Sequence, residues 1–178
     1  MTCIVGIVEK QKVFIGGDSA GISGQNVWIR QDRKVFKVGP FVIGCTASFR
    51  MTQLLQFSFT PPAPVPDADL FKFMCTDFVD ALRACFKSGG FLTVSSSVES
   101  GGNFLIGYEN RLFEICTDFQ VSESVEGFDS VGSGFAFALG ALHALDKSLP
   151  APARIQTALE IAAHRSTGVR PPFHILST

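Results

Sequence analysis

Residues 1–20 read MTCIVGIVEKQKVFIGGDSA. Two strand-forming runs, Thr2–Glu9 and Lys12–Ala20, flank the polar pair Lys10-Gln11, which predicts a β-hairpin. Most domains leave their first residues frayed. Here the first strand follows the initiator at once, so Thr2 is expected to be held in a sheet. That placement gives the amino terminus itself a role.

The strand pattern continues beyond the hairpin. A Gly-Gln-Asn turn signal precedes a short strand around Val27–Ile29, and KVFKVGPFVIGCTA, residues 34–47, forms a further strand pair broken at Gly39-Pro40. The first 47 residues are thus expected to form one β-meander. At Ser48 the spacing becomes helical, with Ser48 as N-cap and Phe49, Leu54 and Phe57 as apolar members. The proline-rich TPPAPVP then links to a long helix capped by Asp67. Its apolar stripe is Leu70, Phe71, Met74, Phe78, Leu82, Cys85 and Phe86, and Gly89-Gly90 ends it.

Residues 91–132 return to strands, with a hairpin around Glu109-Asn110. Two helices follow: GFAFALGALHALDK, rich in small residues, and APARIQTALEIAAHRS, with Pro152 in its first turn. PPFHILST closes the chain as a strand. Strand blocks each followed by a helix pair predict an α+β fold, two antiparallel sheets packed face to face with helices outside. At 178 residues the chain is expected to be a single domain spanning 1–178.

Composition narrows the function. Hydrophobic residues make up 46% of the chain and 18 are Phe, which implies a packed core. The 15 basic and 16 acidic residues are dispersed, so neither nucleic acid nor an anionic membrane is an expected partner. The five cysteines show no C-x-x-C spacing, so free thiols in a reducing compartment are expected and a metal site is not. CIVGIV is too short for a signal peptide and lacks a basic flank. FAFALGALHAL is too short to span a membrane. A cytoplasmic location follows as an expectation. No G-x-G-x-x-G or P-loop motif is present, so no ATP or other cofactor is expected.

Thr2 carries the most pointed chemistry. A small residue after Met1 permits removal of the initiator, which would leave a threonine bearing both a hydroxyl and a free α-amine. A hydroxyl needs a base. The α-amine titrates near pH ~8, so part of it can accept a proton at neutral pH. Asp18, at the end of the second strand, and Lys34, at the start of KVFKV, can converge beside that terminus. The lysine would then lower the pKa of the hydroxyl and the amine, and Asp18 would be its counter-charge. Taken singly, Thr2 is a common second residue, Asp18 an ordinary turn residue and Lys34 an ordinary surface lysine.

With the terminal Thr and IVGI, GGDSA, RKVFKV, FLIGYENRLFEI and VGSGFAFALGAL in this order, the chain resembles the proteasome β-subunit family, including its bacterial HslV-like and proteasome-homologue members. The resemblance runs nearly the whole length. It implies a four-layer αββα sandwich of the N-terminal-nucleophile (Ntn) hydrolase type. Thr2 would be the nucleophile and base, Lys34 and Asp18 the activating pair, and Ser133 a holder of the terminal amine. Ser48 would supply the oxyanion N–H, and Gly21, Thr46 and Arg50 would contact substrate.

Two departures stand out. Ala47-Ser48 replaces the family's alanine-glycine, which leaves the backbone donor but less room for substrate. AAHRSTGV replaces Arg-Asp-x-x-Ser-Gly, putting His164 at the aspartate and Thr167 at the serine position, so support of the terminal amine is altered. The resemblance implies a threonine-type peptidase acting on polypeptides in a homo-oligomeric double ring, with an ATP-dependent unfoldase as a further partner. An Ntn amidase acting on a small amide, or a catalytically silent ring-forming subunit, are the alternatives.

Overall fold

The computed structural model describes residues 1–178. β1 (Ile4–Glu9) and β2 (Lys12–Gly17) form the opening hairpin, followed by β3 (Ala20–Ser23) and β4 (Asn26–Ile29), then β5 (Val35–Val38) and β6 (Phe41–Cys45). α1 (Phe49–Phe57) precedes a continuous helical segment made of α2 (Leu70–Phe73), a π turn (Met74–Phe78) and α3 (Val79–Ser88). The second strand block is β7 (Thr93–Ser95), β8 (Val98–Ser100), β9 (Phe104–Tyr108), β10 (Arg111–Ile115), β11 (Val121–Glu123) and β12 (Phe128–Val131). α4 (Phe135–Ala144), α5 (Ala151–Arg165) and β13 (His174–Ser177) complete the chain.

One sheet has the order β12-β1-β2-β13 and the other β11-β10-β9-β6-β5, both antiparallel. Three apolar layers define the architecture. Ile4, Val13 and Ile15 of the first sheet meet Val42, Leu105 and Leu112 of the second. Val5 and Ile7 face Ala138, Leu142, Ile155 and Leu159 of α4 and α5. Ile43, Phe104, Ile106 and Phe113 face Leu54, Phe78, Leu82 and Phe86 of the earlier helices. This is the αββα sandwich. It also explains the unbroken apolar run CIVGIV: β1 is covered on both faces, so period-two alternation has no polar phase.

The first 47 residues are not one meander. β1–β2 lie in the first sheet and β5–β6 in the second, while β3–β4 form a separate two-stranded hairpin. A run of strand signals fixes hairpins but not which sheet each joins. The long helix begins at Leu70, as its apolar pattern suggests, but its cap lies two residues later than expected. Asp69, not Asp67, caps it, accepting from the Phe71 and Lys72 amides, while Asp67 sits at φ +60°. The π turn then displaces the stripe, so Phe73 is buried and Phe71 is 39% exposed. Phe57, expected in the core, is 76% exposed at the end of α1.

Candidate active site

Strand register assembles the site. Ile4 pairs with Gly17 on one side and with Val131 on the other. Extending both ladders past the strand ends brings Cys3 level with Asp18 and Thr2 level with Ser133. The Cys3 amide accordingly donates to Asp18 Oδ1 at 3.1 Å, and the Thr2 nitrogen to Ser133 Oγ at 3.1 Å. Two glycines make the approach possible. A Cβ at Gly17 would lie 2.6 Å from Ile4 and 2.8 Å from Val35, the residue after Lys34, so the second sheet closes tightly here. Gly132 has φ +97°, and a Cβ there would lie 2.4 Å from the Thr2 carbonyl oxygen.

Three residues at the strand ends of two sheets then meet. Lys34 Nζ donates to Thr2 Oγ1 at 2.9 Å and to Asp18 Oδ1 at 2.9 Å. Thr2, Asp18 and Lys34 are 5%, 1% and 4% exposed. Besides Lys34 and Cys3, the Asp18 carboxylate accepts from the Ala20 amide at 2.9 Å and the Arg170 amide at 3.3 Å. Its lone pairs are therefore filled by one ammonium and three backbone donors, so no oxygen of the buried carboxylate is left unpaired. Burial lowers the pKa of Lys34, an effect the Asp18 charge opposes without cancelling.

The terminus carries Met1, which is 53% exposed. The Thr2 hydroxyl donates to the Met1 carbonyl, and the Met1 side chain rests against Gly168, with the Thr167 hydroxyl 3.9 Å from its sulfur. While Met1 is present the Thr2 nitrogen belongs to an amide and is not basic. A pocket of about 70 Å³ opens beside Thr2, walled by Ile22, Thr46, Ser48, Phe49 and Thr52.

The remaining expected site residues divide. Thr46 lies in the pocket wall, its hydroxyl and amide both bonded to the Asn103 carbonyl. Gly21 is buried in β3 against Arg30 and Phe49. Ser133 is exposed and faces the Thr2 nitrogen. Ser48 does not present a free oxyanion donor. Its N–H donates to the Thr46 carbonyl at 2.7 Å across a tight turn in which Ala47 has φ +59°. Its side chain caps α1 through the Arg50 amide. Arg50 does not line the pocket: it is exposed and donates to the Gly89 carbonyl at 3.3 Å. His164 is exposed on the last turn of α5 and makes no hydrogen bond or ion pair, so it does not support the terminus. Helix phase explains both misses, since neither side chain is on the face turned to Thr2.

Sequence reasoning overlooked two contributors. The Arg30 guanidinium stacks 3.8 Å above the Phe49 ring and is held by Asp32 at 2.8 and 2.7 Å, which stiffens one pocket wall. The close charge spacing of RQDRK was its only trace. Arg170 also went unnoticed, because its amide, not its side chain, reaches Asp18.

No protein-family model and no curated protein matches the sequence. Solved structures do. BPH from Thiobacillus denitrificans, in complex with epoxomicin, superposes with a TM-score of 0.82 at 22% identity, over 99% of this chain and 98% of that one. The eukaryotic HslV of Trypanosoma brucei gives a TM-score of 0.71 at 17% identity, over 99% and 98%. An Anbu mutant from Hyphomicrobium sp. strain MC1 gives 0.70 at 15%, over 100% and 82%. All three have the proteasome-like Ntn-hydrolase fold, and this chain shares it.

Proposed function

We propose that the chain is a threonine-type peptidase that uses Thr2 as an N-terminal nucleophile once Met1 is removed. The observation that carries this reading is the Lys34 ammonium 2.9 Å from both the Thr2 hydroxyl and the Asp18 carboxylate, in a buried setting. Asp18 offsets the cost of burying this ammonium, whose position favours an alkoxide on Thr2.

In this mechanism the freed Thr2 amine takes the hydroxyl proton and Oγ1 attacks the substrate carbonyl carbon. Lys34 stabilises the developing negative charge on Oγ1. The amine passes its proton to the leaving nitrogen as the C–N bond breaks, leaving an ester on Thr2. Water, deprotonated by the same amine, then cleaves the ester and restores the hydroxyl. Ser133 Oγ, now 3.1 Å from this nitrogen, orients the amine. Carbonyl binding requires the Ser48 N–H to turn away from Thr46, and Ala47, exposed at φ +59°, is the residue that can turn it.

Such a nucleophile in the cytoplasm would need confinement. The reading therefore extends to a homo-oligomeric double ring acting on polypeptides, fed by an ATP-dependent unfoldase. In its support, α4 exposes Phe135 and Phe137, 47% and 41% accessible, in a helix without Asp, Glu, Lys or Arg. No helix is long and apolar enough to cross a membrane. The pocket of about 70 Å³ favours a second reading, an amidase acting on a small amide.

The test is hydrolysis of fluorogenic peptides by wild type, Thr2→Ala and Lys34→Ala. Loss of cleavage in both variants is expected. Cleavage by Thr2→Ala would remove the reading, and turnover of small amides alone would favour the amidase. Epoxomicin, held by the Thiobacillus BPH, is a further probe: binding should disappear in Thr2→Ala.

A further inference from the structure

We propose that Arg170 is a positioning residue that fixes Asp18, and through it Lys34, by clamping the turn that follows α5. The Asp18 carboxylate sits at the end of β2, where the ladder has run out. Two of its donors, Cys3 and Ala20, belong to neighbouring strand residues. The third backbone donor, Arg170, comes from a turn that belongs to no sheet. The same residue's carbonyl accepts from the Ser19 amide at 3.0 Å, so residue 170 holds both the Asp18 carboxylate and the residue that follows it.

The Arg170 side chain holds this turn in place. Its Nη1 donates to the carbonyls of Ala163 at 3.2 Å, Ser166 at 3.0 Å and Val169 at 2.7 Å. No carboxylate pairs with it. A cation there complements the negative end of the α5 dipole and fills carbonyls that a helix end leaves unpaired. Binding of an outside anion is a poorer account of this guanidinium, because it turns back into its own chain. Thr167 and Gly168, between the clamped carbonyls, are the residues against Met1. One guanidinium thus fixes a turn that touches both the carboxylate and the terminus. The three bonds converge on Nη1, and the nitrogen of a lysine, one bond nearer the backbone, falls short of that point.

The groups acting on Lys34 are Asp18 just after β2, the Cys3 thiol just before β1 and Arg30 just after β4. Of these, Asp18 contributes most to keeping the ammonium charged, so loosening Asp18 should let Lys34 lose its proton at a lower pH.

The experiment follows the Lys34 side chain by NMR in lysine-13Cε-labelled wild type, Arg170→Met, Arg170→Lys and the control Arg165→Met, with folding checked by circular dichroism. Lys34 is assigned by its absence in Lys34→Met. The expected result is a downward shift of the Lys34 titration in Arg170→Met, a smaller one in Arg170→Lys, and none in the control. If Arg170→Met does not fold, Arg170→Lys decides alone. An unchanged titration in a folded Arg170 variant would overturn the proposal. A kinetic arm rests on the peptidase reading: kcat should fall on the order of ten- to a hundredfold with KM nearly unchanged. If the wild type cleaves no peptide, that reading fails while the NMR arm still decides the role of Arg170.

Discussion

Lys34 Nζ lies 2.9 Å from Thr2 Oγ1, although the two residues lead into strands of different sheets, and neither is more than 5% exposed. The sandwich brings the cation that precedes β5 onto the residue that leads into β1. The energetics of the site turn on how that charge is kept.

Removing it should be costly. Lys34→Met leaves Asp18 buried with only backbone donors and is expected to destabilise the fold by roughly 3–5 kcal/mol. Adding Asp18→Asn should give back part of the loss, so the double variant is more stable than the sum of the singles predicts. Urea denaturation of the four proteins measures the coupling. Additive effects would mean that the pair is not an energetic unit.

The pH dependence follows from burial. The Lys34 pKa is lowered in the folded chain, so the charge beside Thr2 is lost below the usual lysine range near ~10.4. Peptidase activity should therefore fall on the alkaline side before an ordinary lysine titrates. Stability should change in the opposite sense. The unfolded chain holds that proton more tightly, so this contribution rises with pH between the folded and unfolded values. A pH–rate profile for kcat/KM, set beside denaturation midpoints over the same range, tests both trends.

Gly132→Ala should displace the terminus. Its φ of +97° and the 2.4 Å approach to the Thr2 carbonyl leave no place for a methyl group. A loss of at least about 1–3 kcal/mol is expected from backbone strain, with activity lost as well. Ser133→Ala removes only the two hydrogen bonds of an exposed hydroxyl with the Thr2 backbone and should cost about 0.5–1.5 kcal/mol or less. Thermal unfolding of the two variants should rank them in that order.

Thiol reactivity should separate the cysteines. Cys3 is fully buried, and burial pushes its thiol up to about 12. Cys45 is likewise buried and its pKa is raised. Cys75 is exposed. Iodoacetamide at neutral pH is expected to label Cys75 first, and Cys3 and Cys45 only after unfolding. Peptide mapping by mass spectrometry reads the order.

Some of this was legible in the chain and some was not. Thr2, Asp18, Lys34 and Ser133 could be picked out because strand ends fix them, and a ladder carries sequence spacing directly into space. Ser48 was correctly read as an N-cap, but its amide was misjudged, since the turn at Ala47 is set by tertiary context. Arg50 and His164 sit on helices, where a misjudged phase turns a side chain to solvent. The π turn at Met74–Phe78 displaced the stripe that marked Phe71 as core. Arg170 acts on Asp18 through its backbone, and no residue-type pattern records a backbone donor.

The most direct measurement is made on two forms of one protein, with Met1 removed and with Met1 retained, separated and verified by intact mass. Each is assayed for peptide hydrolysis under identical conditions. The account predicts cleavage by the form that begins at Thr2 and none by the form in which that nitrogen is still an amide. Equal cleavage by both would contradict it, because the base would then have to lie elsewhere.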